Sequence, residues 1–351
     1  MPQSILDAAK GYGTGALSRT LYIGNGTQTS GGLYDAFTSG AELWTRIGVS
    51  MFESPNMTRE NVAKFPRVRD YMERHALPYA TETVPDAVRN ALPWPETVDE
   101  ALVEWGEESP LFAVFVLGEF PGEGANTVIG LQKVMQAQAR YAEWEPTEGI
   151  DTCDVICDVA RFGDDETVIA VREHGDIDRL TIRTAYQGQD TMRTAGEIME
   201  AVALLEDDES GLKVSRILID DAGVGGGVVD RLRELQRERK LPRRIAIVGF
   251  NGGGKPRKKG KGGYPNARSE AWFTFLEAIE HVALDPDAKL LADLVAPTYE
   301  LDSAGRRVVE QKKHTKRRLK RSPDRADTAL MAYAPSGFVT HGKKSKGRAY
   351  A

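Results

Sequence analysis

Three aspartates sit where apolar runs end or where a helix begins: Asp158 in CDVARFGDD, Asp220 in ILIDDAGVGGG and Asp324 in SPDRADTAL. Carboxylates gathered from distant parts of a chain suit hard divalent cations such as Mg2+ or Mn2+. Two such ions about 3.5–4 Å apart can activate a water and stabilise the leaving oxygen of an in-line displacement. Directly before the third aspartate runs KKHTKRRLKR, with seven Lys or Arg in ten residues. Acid that holds metal beside base that holds phosphate implies phosphodiester chemistry on nucleic acid.

Neighbouring acids widen the candidate set. Asp327 follows Asp324 by three residues, so the two share a helical face and Asp327 is an auxiliary ligand candidate. Asp164 or Asp165 can help from the loop after Asp158. Asp221 alternates with Asp220 and is expected on the opposite face. Each acid alone has a plainer reading: a strand-end turn for Asp158, a loop residue for Asp220, and a helix-dipole partner for Asp324 after a Ser322 N-cap and Pro323 at the first helical position. The basic candidates for the nucleic-acid backbone are Lys312, Lys313, Lys316, Arg317, Arg318, Lys320 and Arg321, with Lys255, Arg257, Lys258 and Lys259 in the loop GGGKPRKKGKGG. The plain reading of both runs is a solvated charged surface. No aromatic interleaving or base-reading motif accompanies them, so sequence specificity is not expected there.

Two glycine-rich stretches look like phosphate loops and fail. A dinucleotide loop after ILIDD would set a pyrophosphate against Asp220 and Asp221, and Val228 stands where the third glycine belongs. GFNGGGKP nearly matches GxxxxGK[ST], but Pro256 removes the hydroxyl that would ligate Mg2+.

The elements that must position the acids follow from periodicity. TCDVICDVA, TVIAVREH and DRLTIRTAY read as three strands, the last two flanking a turn at Gly175 and Asp176. A helix is predicted over 191–206, from Ile198, Ala201, Val202 and Leu205. RILID is strand four, VVDRLRELQRER a helix, RIAIVGF strand five and ARSEAWFTFLEAIEHV a helix. YELDSAGRRVVEQ is a hairpin, whose plainer reading is a sheet edge rather than a gate to the cleft. A last helix runs from Ser322. Three meandering strands, then helix–strand–helix–strand–helix, is the order of a ribonuclease H-like fold. Upstream, LYIGNGT and TRIGVSMF are strand candidates in a mixed segment. The expected organisation is 1–140, part of a domain and a linker; 141–335, the ribonuclease H-like domain; and 336–351, a flexible basic tail.

With 351 residues, 41% of them apolar, the chain can build two cores. Its net charge of −6 does not exclude a polyanionic partner, because Lys and Arg cluster locally. No apolar run of about 18 residues is present and the first residues lack a signal-peptide pattern, so a soluble cytoplasmic protein without membrane contact is expected. Cys153 and Cys157 lie four apart on one predicted strand, beyond disulfide reach, and read as reduced buried thiols.

These motifs resemble the large terminase subunit of tailed bacteriophages, the DNA-packaging motor and nuclease. DVARFGDDETVI and ILIDDAGVGG resemble its first two nuclease motifs, and KRRLKRSPDRADTALMA the third. YPNARSEAWF, with Asn266 and Arg268, resembles the stretch between the second and third. LYIGNGTQTSGGLYDAF resembles the segment that couples ATP hydrolysis to movement, with Asn25 and Thr27 as its polar residues and Gly26 in place of the usual proline. EWGEESPLFAVFVLGEFP is similar to the join between motor and nuclease. The resemblance implies Asp158, Asp220 and Asp324 as catalytic ligands of two Mg2+ or Mn2+ ions, with Asp327 and Asp164 beside them. It implies Arg268 as a DNA contact, double-stranded DNA as substrate, portal protein and small terminase subunit as partners, and the bacterial host cytoplasm as location. For 1–140 it implies a partial P-loop-type ATPase domain and linker. No intact Walker A loop is found, so ATP hydrolysis by this chain is not expected; it reads as the back of an ATPase domain plus a complete nuclease. The rival readings are a junction resolvase of the same fold, a non-catalytic packaging module, and, most distant, a nucleotide-binding oxidoreductase.

Overall fold

In the computed structural model, residues 21–27, 31–38, 42, 44–82, 84–120, 127–160, 165–188, 190–207, 211–221, 225–260 and 262–334 are described. Asp164 and the tail 336–351 lie outside them. The chain divides into two compact units, Met1–Ala125 with Arg317–Lys320, and Asn126–Lys316 with Arg321–Ala351.

The first unit is helical where described: α1 (Gly32–Phe37), α2 (Arg59–Val62), α3 (Pro66–Arg74), α4 (Asp86–Arg89), α5 (Pro95–Glu104) and α6 (Pro110–Phe115). Proline at the first turn of α3, α5 and α6 fixes φ where the N–H has no helical partner. Phe52, Met57, Val68, Tyr71, Met72 and Phe112 form its core. The two strands expected here, LYIGNGT and TRIGVSMF, are not strands. Leu21 is 77% exposed and Ile23 88%, as Ile47 is 74% and Val49 65%. An apolar run becomes a buried strand only beside other strands, and this unit supplies none among its described residues.

The second unit opens with α7 (Leu131–Tyr141) and then builds β1 (Thr152–Asp158), β2 (Thr167–Glu173), β3 (Asp178–Tyr186), α8 (Thr191–Leu205), β4 (Lys213–Asp220), α9 (Gly225–Arg237), β5 (Ala246–Phe250), α10 (Ala267–Ala278), β6 (Val282–Leu284) and α11 (Ala288–Val295). A small hairpin, β7 (Tyr299–Leu301) and β8 (Arg307–Val309), leads to α12 (Lys312–Leu319) and α13 (Asp324–Tyr333). The six-stranded sheet has the order β5-β4-β1-β2-β3-β6. β1–β2 and β2–β3 are antiparallel, and β1–β4, β4–β5 and β3–β6 are parallel. A meander of three strands followed by two parallel strands beside the first is the ribonuclease H-like arrangement expected from the motif order. β6 extends it at the far edge.

The two faces of β1 differ because side chains alternate. Cys153, Val155 and Cys157 point into the core under α8 and α9. Both thiols are free, and burial pushes that of Cys153 up to about 12, which suits inert packing. Asp154, Ile156 and Asp158 take the other face, on the side where α13 packs against β1 and β2. Gly225, after β4, serves close packing. A Cβ on Gly225 would lie 1.7 Å from the Asp220 carbonyl oxygen, so α9 can start this close to β4 only with glycine.

Candidate metal centre

β1 ends at Asp158 and its parallel neighbour β4 at Asp220, with Cys157 opposite Ile219 in register, so both carboxyl groups leave the same end of the sheet. α13 brings Asp324 and Asp327 in its first turn, where the helix dipole favours acids. The helix starts one residue later than expected. Pro323 is its N-cap, and the Ser322 hydroxyl donates to Asp324 Oδ1 at 2.5 Å instead of capping the backbone. Carboxylate oxygens of Asp158, Asp324 and Asp327 all lie within 4.8 Å of one another. Asp220 is not in that closest trio, but with Asp158 and Asp327 it lines a cavity of about 190 Å3. Asp327, expected as an auxiliary, is therefore as central as Asp324.

Asp324 is held firmly. Its Oδ2 accepts the Glu166 backbone N–H at 2.8 Å, and its Oδ1 takes Lys312 Nζ at 2.8 Å besides Ser322. Lys312 also reaches Asp327 Oδ2 at 2.8 Å. Asp158 is 7% exposed, and its carboxylate accepts no hydrogen bond among the described residues. Burial raises its pKa well above the usual carboxylate range, and Asp327, Asp324 and Asp220 add to this against the pull of Lys312. Asp327 goes the other way: burial would raise it, but Lys312 and Arg268 outweigh burial and hold it low. Lys312 stays protonated, because Asp327, Asp158 and Asp324 outweigh the effect of burial.

Among the described residues, Asp158, Asp324 and Asp327 thus share the Lys312 ammonium and the Arg268 guanidinium. At an effective dielectric of about 20, like charges about 5 Å apart repel by roughly 3 kcal/mol. A cluster short of positive charge, made only of oxygen donors, fits a hard divalent cation. The Lys312 ammonium between Asp324 and Asp327 marks a place where the fold already puts a cation.

The basic candidates separate into two groups. Lys255, Arg257, Lys258, Lys259 and Lys313 are exposed. Their loop is not slack: buried Glu270 accepts the backbone N–H groups of Arg257 and Lys258 at 2.7 and 3.0 Å. Lys312 is committed to the acidic cluster, and half-exposed Lys316 pairs with Asp165 at 2.5 Å. Arg321, expected on DNA, pairs with fully buried Asp293. Arg317, Arg318 and Lys320 belong to the stretch that groups with the first unit. Arg268 lines the acidic cavity. Asn25 is exposed, and its carbonyl accepts the Thr27 N–H at 2.8 Å.

No protein-family profile and no curated protein matches the sequence. Among solved structures, the chain is similar to a variant of the nuclease domain of the large terminase subunit of bacterial virus Sf6, with manganese and β-thujaplicinol. The identity is 18% over 59% of this chain and 97% of that one, with a TM-score of 0.46. It is also similar to the large terminase nuclease of thermophilic phage G20c with bound magnesium, at 16% identity over 54% and 84% and a TM-score of 0.34. The large terminase of a second thermophilic bacteriophage is 10% identical over 70% of this chain and 53% of that one, with a TM-score of 0.35.

Proposed function

We propose that the chain is a metal-dependent endodeoxyribonuclease of a viral genome-packaging terminase, cutting concatemeric double-stranded DNA by hydrolysis of phosphodiester bonds. The observation that carries this reading is the buried, charge-deficient cluster of Asp158, Asp324 and Asp327, with Asp220 on the same cavity, at one end of a ribonuclease H-like sheet. The resemblance of the motifs to large terminase subunits implies the viral packaging context, with double-stranded DNA as substrate and portal protein and small terminase subunit as partners.

Asp158, Asp220, Asp324 and Asp327 would hold two Mg2+ or Mn2+ ions. When bound, such ions supply charge neutralisation at the phosphate and a lowered water pKa. The chain's own residues do the rest. Ser322 and the Glu166 N–H fix the Asp324 carboxylate. Lys312 neutralises Asp324 and Asp327, and bound cations would take over that role. Exposed Lys255, Arg257, Lys258, Lys259 and Lys313 would meet backbone phosphates electrostatically. ATP hydrolysis is not part of the reading. In the host cytoplasm, the cut would begin or end a packaging event.

Plasmid incubated with Mn2+ tests it. Conversion of supercoiled to nicked and linear DNA by the intact chain, and none by Asp220→Asn, is the expected result. Equal cleavage by both would remove Asp220 from the site. Strong preference for branched over linear DNA would turn the reading to a junction resolvase, and metal binding without any cleavage to an assembly module.

A further inference from the structure

Arg268 is fixed at the cavity from several sides. It is the second residue of α10, whose N-cap Asn266 accepts the Ser269 N–H at 2.8 Å. Its backbone N–H donates to the Gly252 carbonyl at 2.9 Å, and its Nη1 donates to the Glu310 carbonyl at 2.8 Å. The guanidinium stands 6.0 Å from the Trp272 ring centroid. The other edge of the group, Nε and Nη2, is buried and makes no hydrogen bond among the described residues. These two N–H groups are parallel donors. Arg216 uses the same edge in full, with Nε and Nη2 on the two oxygens of Asp154. On Arg268 the edge is oriented and unfilled.

The nearest acid does not fill it. Asp327 Oδ1 is 3.8 Å from Nε, beyond hydrogen-bond reach, and Asp327 Oδ2 is bound to Lys312. Arg268 itself lines the cavity, whose other lining residues include Asp158, Asp220, Phe250, Leu330 and Met331. An anion that presents two oxygens and enters by that cavity satisfies both donors. Apolar neighbours exclude water and strengthen the contact.

We infer that Arg268 is a phosphate clamp: its Nε–H and Nη2–H donate in parallel to non-bridging oxygens of the nucleic-acid phosphodiester brought to the acidic cluster. The inference rests on the nuclease reading, and it assigns the task of holding the phosphate to one preorganised group rather than to the exposed lysines. A polyanion approaching four carboxylates needs such a fixed cation close to the reacting bond.

Duplex affinity, measured by anisotropy of a short fluorescent duplex in Ca2+ and checked for intact DNA, is compared for wild type, Arg268→Lys and Arg268→Gln. Mn2+ affinity is measured on the same proteins by calorimetry. Both variants are expected to lose about tenfold or more in duplex affinity, as loss of hydrogen bonds to a charged group implies. Lysine does not rescue, because one ammonium cannot replace a fork. Mn2+ affinity stays within about twofold of wild type for Arg268→Lys, which keeps the charge, and is retained or rises for Arg268→Gln, which removes a cation beside Asp327 and leaves the carboxylate ligands intact. Unchanged duplex affinity with weakened Mn2+ binding overturns the clamp and leaves Arg268 as a positioning residue for Asp327. If Arg268→Gln does not fold, Arg268→Lys keeps the stem and charge and reads the same difference. Plasmid cleavage separates the two claims. A wild type that cuts, with Arg268 variants that bind duplex normally, sinks the clamp alone. A wild type that binds but never cuts, with variants that lose binding, sinks the nuclease reading alone.

Discussion

Asp154 and Asp158 lie four residues apart on β1 and face the same side of the sheet, yet their surroundings are opposite. Asp154 is fully buried and balanced: Arg216 binds both its oxygens, and His174 Nε2 lies 3.0 Å from Oδ2. Burial would raise its pKa, but His174 and Arg216 more than offset this and hold it below the usual value. Asp158 is nearly as buried and is surrounded by three further carboxylates, with Lys312 the main offset. A buried acid with its own cations is part of the framework. A buried acid among other acids is costly to the metal-free fold, and such cost is found where function requires it.

The largest expected separation comes from removing each acid. Asp158→Asn should abolish plasmid cleavage and, in metal-free buffer, raise stability by about 1–3 kcal/mol, because it removes an acid whose ionisation is opposed by burial first and by the neighbouring carboxylates second. Asp154→Asn should do the reverse, costing about 3–5 kcal/mol by leaving Arg216 unpaired in a mostly buried site, while cleavage per folded molecule persists. Thermal and urea melts of the two variants read both effects.

Acidification sharpens the contrast. The folded pKa of Asp154 is depressed, so the stability it contributes is fully present above the unfolded value near about 4 and is lost as pH falls through the lower folded value. The stability gap between wild type and Asp154→Asn should therefore close below about pH 4 in urea melts.

Lys312 offers a smaller perturbation. Lys312→Met removes the cation between Asp324 and Asp327, so Mn2+ should bind severalfold more tightly and the metal-free protein should lose about 1–2 kcal/mol. Smallest are the exposed loop charges. Lys258→Ala or Lys259→Ala should each weaken duplex binding modestly and lower the salt slope by about one, without affecting metal affinity.

Much of this arrangement was legible in the sequence because it is local. Strand ends at Asp158 and Asp220, and the order of strands and helices, follow from apolar runs punctuated by Gly and Asp. Other parts were hidden because they are set by distant partners. Arg321 looks like one of seven equivalent basic residues, and only the fold brings it to Asp293, the buried acid that claims it. The weight of Asp327 depends on where α13 begins and on Lys312 reaching across from α12. The unfilled edge of Arg268 depends on the Glu310 carbonyl and the packing around Trp272. Asp154 did leave a signal, as an acid in the middle of an apolar strand. Residues 21–27 and 45–52 misled because an apolar run implies a strand only when a sheet is there to receive it.

Calorimetric titration of Mn2+ into wild type, Asp158→Asn and Asp154→Asn tests the central claim most directly. The account predicts binding to wild type and Asp154→Asn with similar affinity, and binding lost or greatly weakened in Asp158→Asn. Equal binding to all three, or no binding to wild type, would contradict a metal centre at the Asp158 end of the sheet.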